Sequence, residues 1–199
     1  MPAVLTVLRS GGIYTSDHVE RLRQQVARFA PSADFLCLRD DDAAAKADRP
    51  RHDWPGWWLK IEAFRFPGPI LFTDLDTTIV GDLGPLLDAA EMHRFVALRD
   101  FNARADEMGS GLMAWSANMH SIYDTFLKDP QGHMDRCRTP QAWGDQGFID
   151  PLTAAYRVHW QDILPGAVVS WKKHCRAGVP EGARVICFHG TPKPWEVGQ

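Results

Sequence analysis

Apolar residues fall along this chain in short runs, each closed by Gly, Pro or Asp. Runs of that length between turn residues read as buried strands. The first, residues 3–8 (AVLTVL), predicts a strand that ends in the turn Arg9-Ser10-Gly11-Gly12. Ser16 or Asp17 then caps a predicted helix to about Phe29, which Pro31 ends. Residues 34–38 predict a second strand, closed by the acidic turn Asp40-Asp41-Asp42. A strand–helix–strand start of this kind is expected to be parallel and right-handed. Residues 43–50 read as a mobile loop, and 57–64 as a helix whose tryptophans, Trp57 and Trp58, face the core. Pro67-Gly68-Pro69 turns the chain into a strand at Ile70-Leu71-Phe72.

Further on, 83–90 and 119–127 predict helices, and 95–98 and 111–115 predict strands. Residues 129–144 are polar, with Pro130, Gly132 and Pro140, and read as loop. Residues 145–159 predict a helix that Pro151 either kinks or starts. Late strands are expected at 168–171 and 184–188, then an irregular tail over 190–199. The chain has no internal repeat and no low-complexity tract. Strands alternating with helices give an α/β class.

The totals narrow this picture. With 199 residues, 45% of them hydrophobic and 24% charged, one domain with its own core is expected. A net charge of -3 excludes a general nucleic-acid binder, which carries a basic surplus. The cysteines Cys37, Cys137, Cys175 and Cys187 lack the CxxC spacing of a zinc ribbon or redox motif. Cys37 and Cys187 lie in apolar runs and read as core, which fits a reducing, cytoplasmic compartment. No stretch approaches the roughly 18 apolar residues of a membrane span, and the apolar start is too short for a signal-peptide core. Eight tryptophans are many for this length and suggest stacking surfaces or a groove.

The most informative stretch is residues 70–82, ILFTDLDTTIVGD. Its apolar run stops at two carboxylates spaced i, i+2, Asp74 and Asp76. Acids at a strand's carboxyl end suit a hard divalent cation, and ligands bind at such ends in open α/β sheets. Toward the C-terminus, Phe188-His189-Gly190-Thr191-Pro192-Lys193-Pro194-Trp195 follows another strand. His189 suits manganese as a further ligand. Gly190 permits close approach to a phosphate, and Lys193 offers it a point charge.

Four further groups are candidates. In Trp143-Gly144-Asp145-Gln146-Gly147-Phe148, Asp145 either caps a helix or, with Gln146, holds sugar hydroxyls. The turn with Gly11, Gly12 and Tyr14 offers amides and a ring to a nucleotide base. Lys60 either faces a diphosphate or is a solvated lysine. The run 170–176, SWKKHCR, is a basic cluster beside an aromatic, suited to an anion or simply solvated. His52, His93, His120, His133 and His159 show no ligand spacing.

Taken together, the strand-end DLD, SGLMAW, WGDQGF and HGTPKPW resemble the motifs of nucleotide-sugar-dependent glycosyltransferases of the GT-A fold. The likeness is to the family 8 type, which includes glycogenin and bacterial galactosyltransferases. It runs in order from Val4 to Trp195. The resemblance implies a Rossmann-like mixed sheet flanked by helices, with a nucleotide-binding half at about 1–80 and a donor-sugar and acceptor half at about 81–199. It implies that Asp74, Asp76 and His189 bind Mn²⁺ or Mg²⁺ and that Lys193 and Gly190 meet the phosphates. Gly12 and Tyr14 would hold the uridine of a UDP-sugar, Ser110 and Gly111 would line the donor sugar, and Asp145 and Gln146 would lie beside the anomeric carbon. Lys60 resembles a basic residue before the DxD. The family retains anomeric configuration by a proposed front-face displacement in which the leaving phosphate takes the acceptor's proton. The acceptor is not named by these motifs. The chain is short for the family, and RSGGIY lacks the acidic residue often seen there.

Two alternatives stand beside this reading. FTDLDTTI also resembles the first motif of haloacid-dehalogenase-type phosphatases, with Asp74 as nucleophile, Asp76 as general acid, and Gly144-Asp145 with Asp150 imitating the last acidic motif. Against it, about 70 residues precede a motif that normally opens the fold, only about 125 follow, and HGTPKPW is left without a role. The other alternative is a non-catalytic nucleotide-sugar binder.

Overall fold

In the computed structural model the described residues are 2–41, 49–102 and 107–199. The expected loop at 43–50 falls largely outside them. The main sheet has six strands: β1 (Ala3–Leu8), β2 (Asp34–Arg39), β3 (Ile70–Thr73), β5 (Phe95–Arg99), β6 (Met108–Trp115) and β9 (Arg157–His159). Their order is β2-β1-β3-β6-β5-β9. β1 runs parallel to β2 and β3, β6 is antiparallel to β3 and β5, and β9 is parallel to β5. Five strands therefore share one direction and β6 opposes them. The mixed α/β sheet expected from the sequence is the one observed. β1 and β2 precede β3 in the same sheet, which removes the phosphatase's requirement that the Asp74 strand open the fold.

Both faces of the sheet are buried, and period-two alternation divides its side chains between them. Leu5, Phe72, Met113 and Trp115 face one core. Val4, Leu71, Leu112 and Ala114 face the other. α1 (Ser16–Phe29) supplies Val19, Leu22 and Val26 to the second face, and α2 (Gly84–Met92) supplies Leu86 and Leu87. On the first face lie α3 (His120–Leu127), α5 (Gly144–Thr153) and the segment Gly56–Arg65.

That segment is a 3₁₀ helix, with three residues per turn. Every residue from Trp58 to Phe64 is buried. Trp58, Ile61 and Phe64 all enter the core, at 6%, 0% and 0% exposure, whereas Trp57 is 52% exposed. The expectation that both tryptophans are core therefore holds for Trp58 alone.

A smaller sheet, β10-β11-β4, joins β4 (Thr77–Ile79) antiparallel to β11 (Val185–Cys187) and β11 parallel to β10 (Val168–Ser170). Register pairs Thr77 with Cys187. The strand ending in HGTPKPW is thus zipped beside the DLD turn.

Several expectations need correction. Residues 129–144 are not loop. They form α4 (Pro130–Arg136) and a hairpin of β7 (Arg138–Thr139) and β8 (Ala142–Trp143). Asp129 caps α4 by accepting from the Gly132 N–H at 3.0 Å, with Pro130 at the first helical turn, where its missing N–H costs little. The helix expected over 145–159 stops at Thr153, with Pro151 inside it, and the chain then extends as β9 to pair with β5. Thr15, not Ser16 or Asp17, is the N-cap of α1. Trp171 opens α7 (Trp171–His174) and does not end a strand. Cys37 is only half-buried; the other three cysteines are buried, and all four are free. Among the described residues no helix is long and apolar enough to cross a membrane.

Candidate active site

The carboxyl ends of β1, β2, β3 and β5 lie along one edge of the sheet, and the start of the opposed β6 lies there too. A cavity of about 700 Å³ opens at this edge. Asp74, Asp76 and His189 line it. So do Asp145 and Gln146, and so do Gly12, Tyr14, Lys60, Ser110 and Gly111. Gly190 and Lys193 are not among its lining residues. Lys193 nonetheless reaches two groups that are.

Lys60 is the electrostatic centre. Its side chain is 7% exposed, and Nζ lies 2.9 Å from Asp74 Oδ1 and 3.1 Å from Asp145 Oδ2. Nζ also donates to Ser110 Oγ at 3.1 Å. Burial alone would lower the lysine's pKa, but Asp145 and then Asp74 more than offset it, so the ammonium stays charged. This overturns the solvated alternative for Lys60: it is a buried cation on the cavity wall, between two carboxylates. Burial pushes the Asp74 carboxyl up to about 6, opposed by Lys60 and reinforced by Asp76 and Asp145. Asp145 Oδ2 receives the lysine's charge yet has no aligned hydrogen bond among the described residues. Backbone bonds fix the turn as well, since the Asp74 N–H donates to the Gly111 carbonyl at 2.9 Å.

Asp76 is held from the C-terminal side. Lys193 Nζ lies 2.5 Å from Asp76 Oδ2, which also accepts from the Tyr14 hydroxyl at 2.9 Å. Burial, with Asp76 beside it, pushes the Tyr14 phenol above its ordinary range, so it stays protonated and donates. Trp195 meets Tyr14 edge-on, with centroids 5.9 Å apart, which seats the tail against the first-strand turn.

His189 stacks on Phe101 at 5.9 Å and 19°. Its Nε2 lies 2.7 Å from Ser170 Oγ. Burial and the neighbouring Lys172 lower its pKa, so the ring is neutral near pH 7. A neutral imidazole is the form a metal requires.

Oxygen and imidazole donors on one cavity suit manganese or magnesium. The raised pKa of Asp74 comes first from burial, with Asp76 and Asp145 adding to it, and a bound cation would oppose both. As they stand, no three His, Cys, Asp or Glu among the described residues are gathered tightly enough to hold an ion. Asp74 faces Lys60, Asp76 faces Lys193 and His189 faces Ser170. The donor set fits the ion in chemistry, and each ligand is held by a substitute partner.

Sequence reasoning missed several cavity residues. Asp100 follows β5 and accepts from Gln146 Nε2 at 3.4 Å. Its signal was the same as that of Asp74, an acid closing an apolar strand. Phe101, also on the cavity wall, carried no such signal; Ser170, which bonds His189 from behind the lining, was read only as the start of the basic run. Trp57 and Trp143 also line the cavity.

No family model matches the sequence, and no curated protein matches it. Among solved structures, the chain is similar to the galactosyltransferase LgtC in complex with donor and acceptor sugar analogues. Identity is 12%, over 98% of this chain and 89% of that one, with a TM-score of 0.66. It is similar to the glycosyltransferase GlyE of Streptococcus pneumoniae TIGR4, with 14% identity over 97% and 55% and a TM-score of 0.61. It is also similar to mouse xyloside xylosyltransferase 1, with 12% identity over 96% and 98% and a TM-score of 0.56. At these identities the likeness is one of fold: this chain has the GT-A-type fold of solved glycosyltransferases.

Proposed function

We propose that the chain is a metal-dependent glycosyltransferase that moves a sugar from a nucleotide-sugar, a UDP-sugar, to an acceptor with retention. One observation carries this reading. Carboxylates, an amide, a phenol and an imidazole from five separate segments open on one cavity at the carboxyl ends of the strands. The glycosyltransferase fold supports it. The four free cysteines support the cytoplasmic setting that goes with it.

In this reading Asp74, Asp76 and His189 hold Mn²⁺ or Mg²⁺, which when bound supplies positive charge to the departing diphosphate. Lys193 and the Gly190 backbone serve the same phosphates. Gly12 and Tyr14 hold the nucleoside, and Ser110 and Gly111 border the donor sugar. Asp145 and Gln146 present oxygens toward the anomeric carbon, where an oxocarbenium-like transition state develops positive charge. Lys60 pairs with Asp74 and Asp145 and holds both in place, so those oxygens need not reorganise. The acceptor's proton passes to the leaving phosphate.

Calorimetry of UDP binding with and without manganese tests the reading. Metal-dependent micromolar binding is expected in the wild type, with loss of the metal dependence in Asp76→Ala and His189→Ala while the fold survives. Wild-type-like binding in both variants would refute the assignment.

A further inference from the structure

Few large apolar side chains are exposed on this chain, and Ile13, Trp57 and Trp143 among them line the same cavity. Trp57 is 52% exposed and Trp143 is 56% exposed. Their rings lie 6.4 Å apart at 44°, forming one angled aromatic surface. We propose that Trp57 and Trp143 form the acceptor platform and that the acceptor is a carbohydrate whose pyranose ring packs on these two indoles. The proposal rests on the glycosyltransferase reading for its meaning, though not for its test.

Three observations carry it. The first is position. On a 3₁₀ helix, residues three apart eclipse, so Trp57 stands directly over Lys60, the cation that grips Asp74 and Asp145. Trp143 precedes Gly144-Asp145-Gln146. Both rings are thus one short step from the carboxylate expected beside the anomeric carbon. The second is that the arrangement is built. Gly144 has φ +62°, and a Cβ there would lie 3.1 Å from Trp57 Nε1. Glycine at 144 therefore serves both the left-handed backbone and the indole packed against it. The third is the match of chemistry. The indoles adjoin hydrogen-bonding groups, Asp145, Gln146 and Asp100, in the same cavity. A sugar presents one apolar C–H face and a rim of hydroxyls, which such a surface can satisfy together. Rings at 44° cannot sandwich a planar base between them, whereas a puckered pyranose can meet both. Tryptophan also loses little conformational entropy on binding, so an exposed pair forms a preorganised surface.

The test uses the whole chain and defined probes: methyl β-D-galactopyranoside, methyl β-D-glucopyranoside and methyl α-D-mannopyranoside. Each is titrated against indole fluorescence and by saturation-transfer NMR, with and without UDP and manganese. At least one should bind the wild type with Kd on the order of millimolar. Trp57→Ala and Trp143→Ala should each weaken that binding about tenfold, whereas Trp143→Phe should keep it within about threefold. UDP affinity should stay within about twofold in all three variants, because the rings are not assigned to the donor. Circular dichroism checks that each variant folds. The proposal fails if no pyranoside binds the wild type, or if binding survives both alanine changes. It also fails if UDP affinity falls in step with saccharide affinity, which would give the rings to the donor, or if sedimentation shows a dimer that Trp143→Ala dissolves. Because saccharide is also titrated without UDP, a failed donor site leaves the platform's own result standing.

Discussion

Replacing Lys60 with methionine keeps most of the unbranched apolar stem and removes the charge. At about 3 Å and an effective dielectric near 20, each Lys60–carboxylate contact is worth about 5 kcal/mol before desolvation is subtracted. Desolvation of a buried cation takes back much of that, so the measurable quantity is the cost of leaving Asp74 and Asp145 without their partner. Breaking a buried pair from one side costs about 3–5 kcal/mol. Asp145's side chain is 8% exposed, but Asp74's is 32% exposed, so water shares part of the released charge. The expected loss is therefore near the lower bound, about 3 kcal/mol. For a chain of this size that lowers Tm by about 6–12 °C. Thermal melts followed by circular dichroism read this directly. Adding Asp145→Asn to Lys60→Met should recover part of the loss, because one stranded charge is gone. A Lys60→Met variant melting within about 2 °C of wild type would refute the claim that Lys60 organises the site.

Other expectations follow from neighbouring contacts. Lys193→Ala should leave manganese affinity in the absence of UDP unchanged or improved, since it frees Asp76, yet weaken UDP binding about tenfold; calorimetry in both orders of addition separates the two effects. Metal-assisted UDP binding should fall from pH 7.5 to pH 5.5, because Asp74 takes up its proton as pH drops through about 6 and an ordinary carboxylate would not do so until lower pH; a flat affinity across that window would contradict it. Glu62 is fully buried, accepts from the N–H groups of Arg51 and His52 at 2.9 and 2.7 Å, and pairs with Arg65 at 3.0 Å. Glu62→Ala should therefore cost about 3–5 kcal/mol in denaturant melts while UDP affinity is kept in the folded fraction.

Local pattern and tertiary placement were not equally legible. β1, α1, β2 and β3 follow from apolar runs bounded by turn residues, as do the short β10 and β11. β4 and β9 did not, since Thr77-Thr78-Ile79 and Arg157-Val158-His159 are mostly polar and exist as strands only through their partners, Val185–Cys187 and Phe95–Arg99. α4 was hidden because its cap, Asp129-Pro130, sits in a polar stretch that also reads as loop. In the site, Asp74, Asp76, His189 and Asp145 each sat in a motif with its own signature. The pairings Lys60–Asp145 and Lys193–Asp76 span 85 and 117 positions, and nothing local announces them.

The Thr77–Cys187 register gives the site a vernier. Asp76 lies one step before that rung and His189 two steps after it, on opposed strands of a single ladder. Because side chains alternate along a strand, a slip of one notch would turn β11's inward residues outward and point the imidazole away from the carboxylates. Val185 and Cys187 would leave the core they share with the large sheet, so packing itself resists the slip. Deleting Phe188 would move the imidazole one position along and remove a buried ring stacked on Trp171, so stability and metal-dependent binding should fall together.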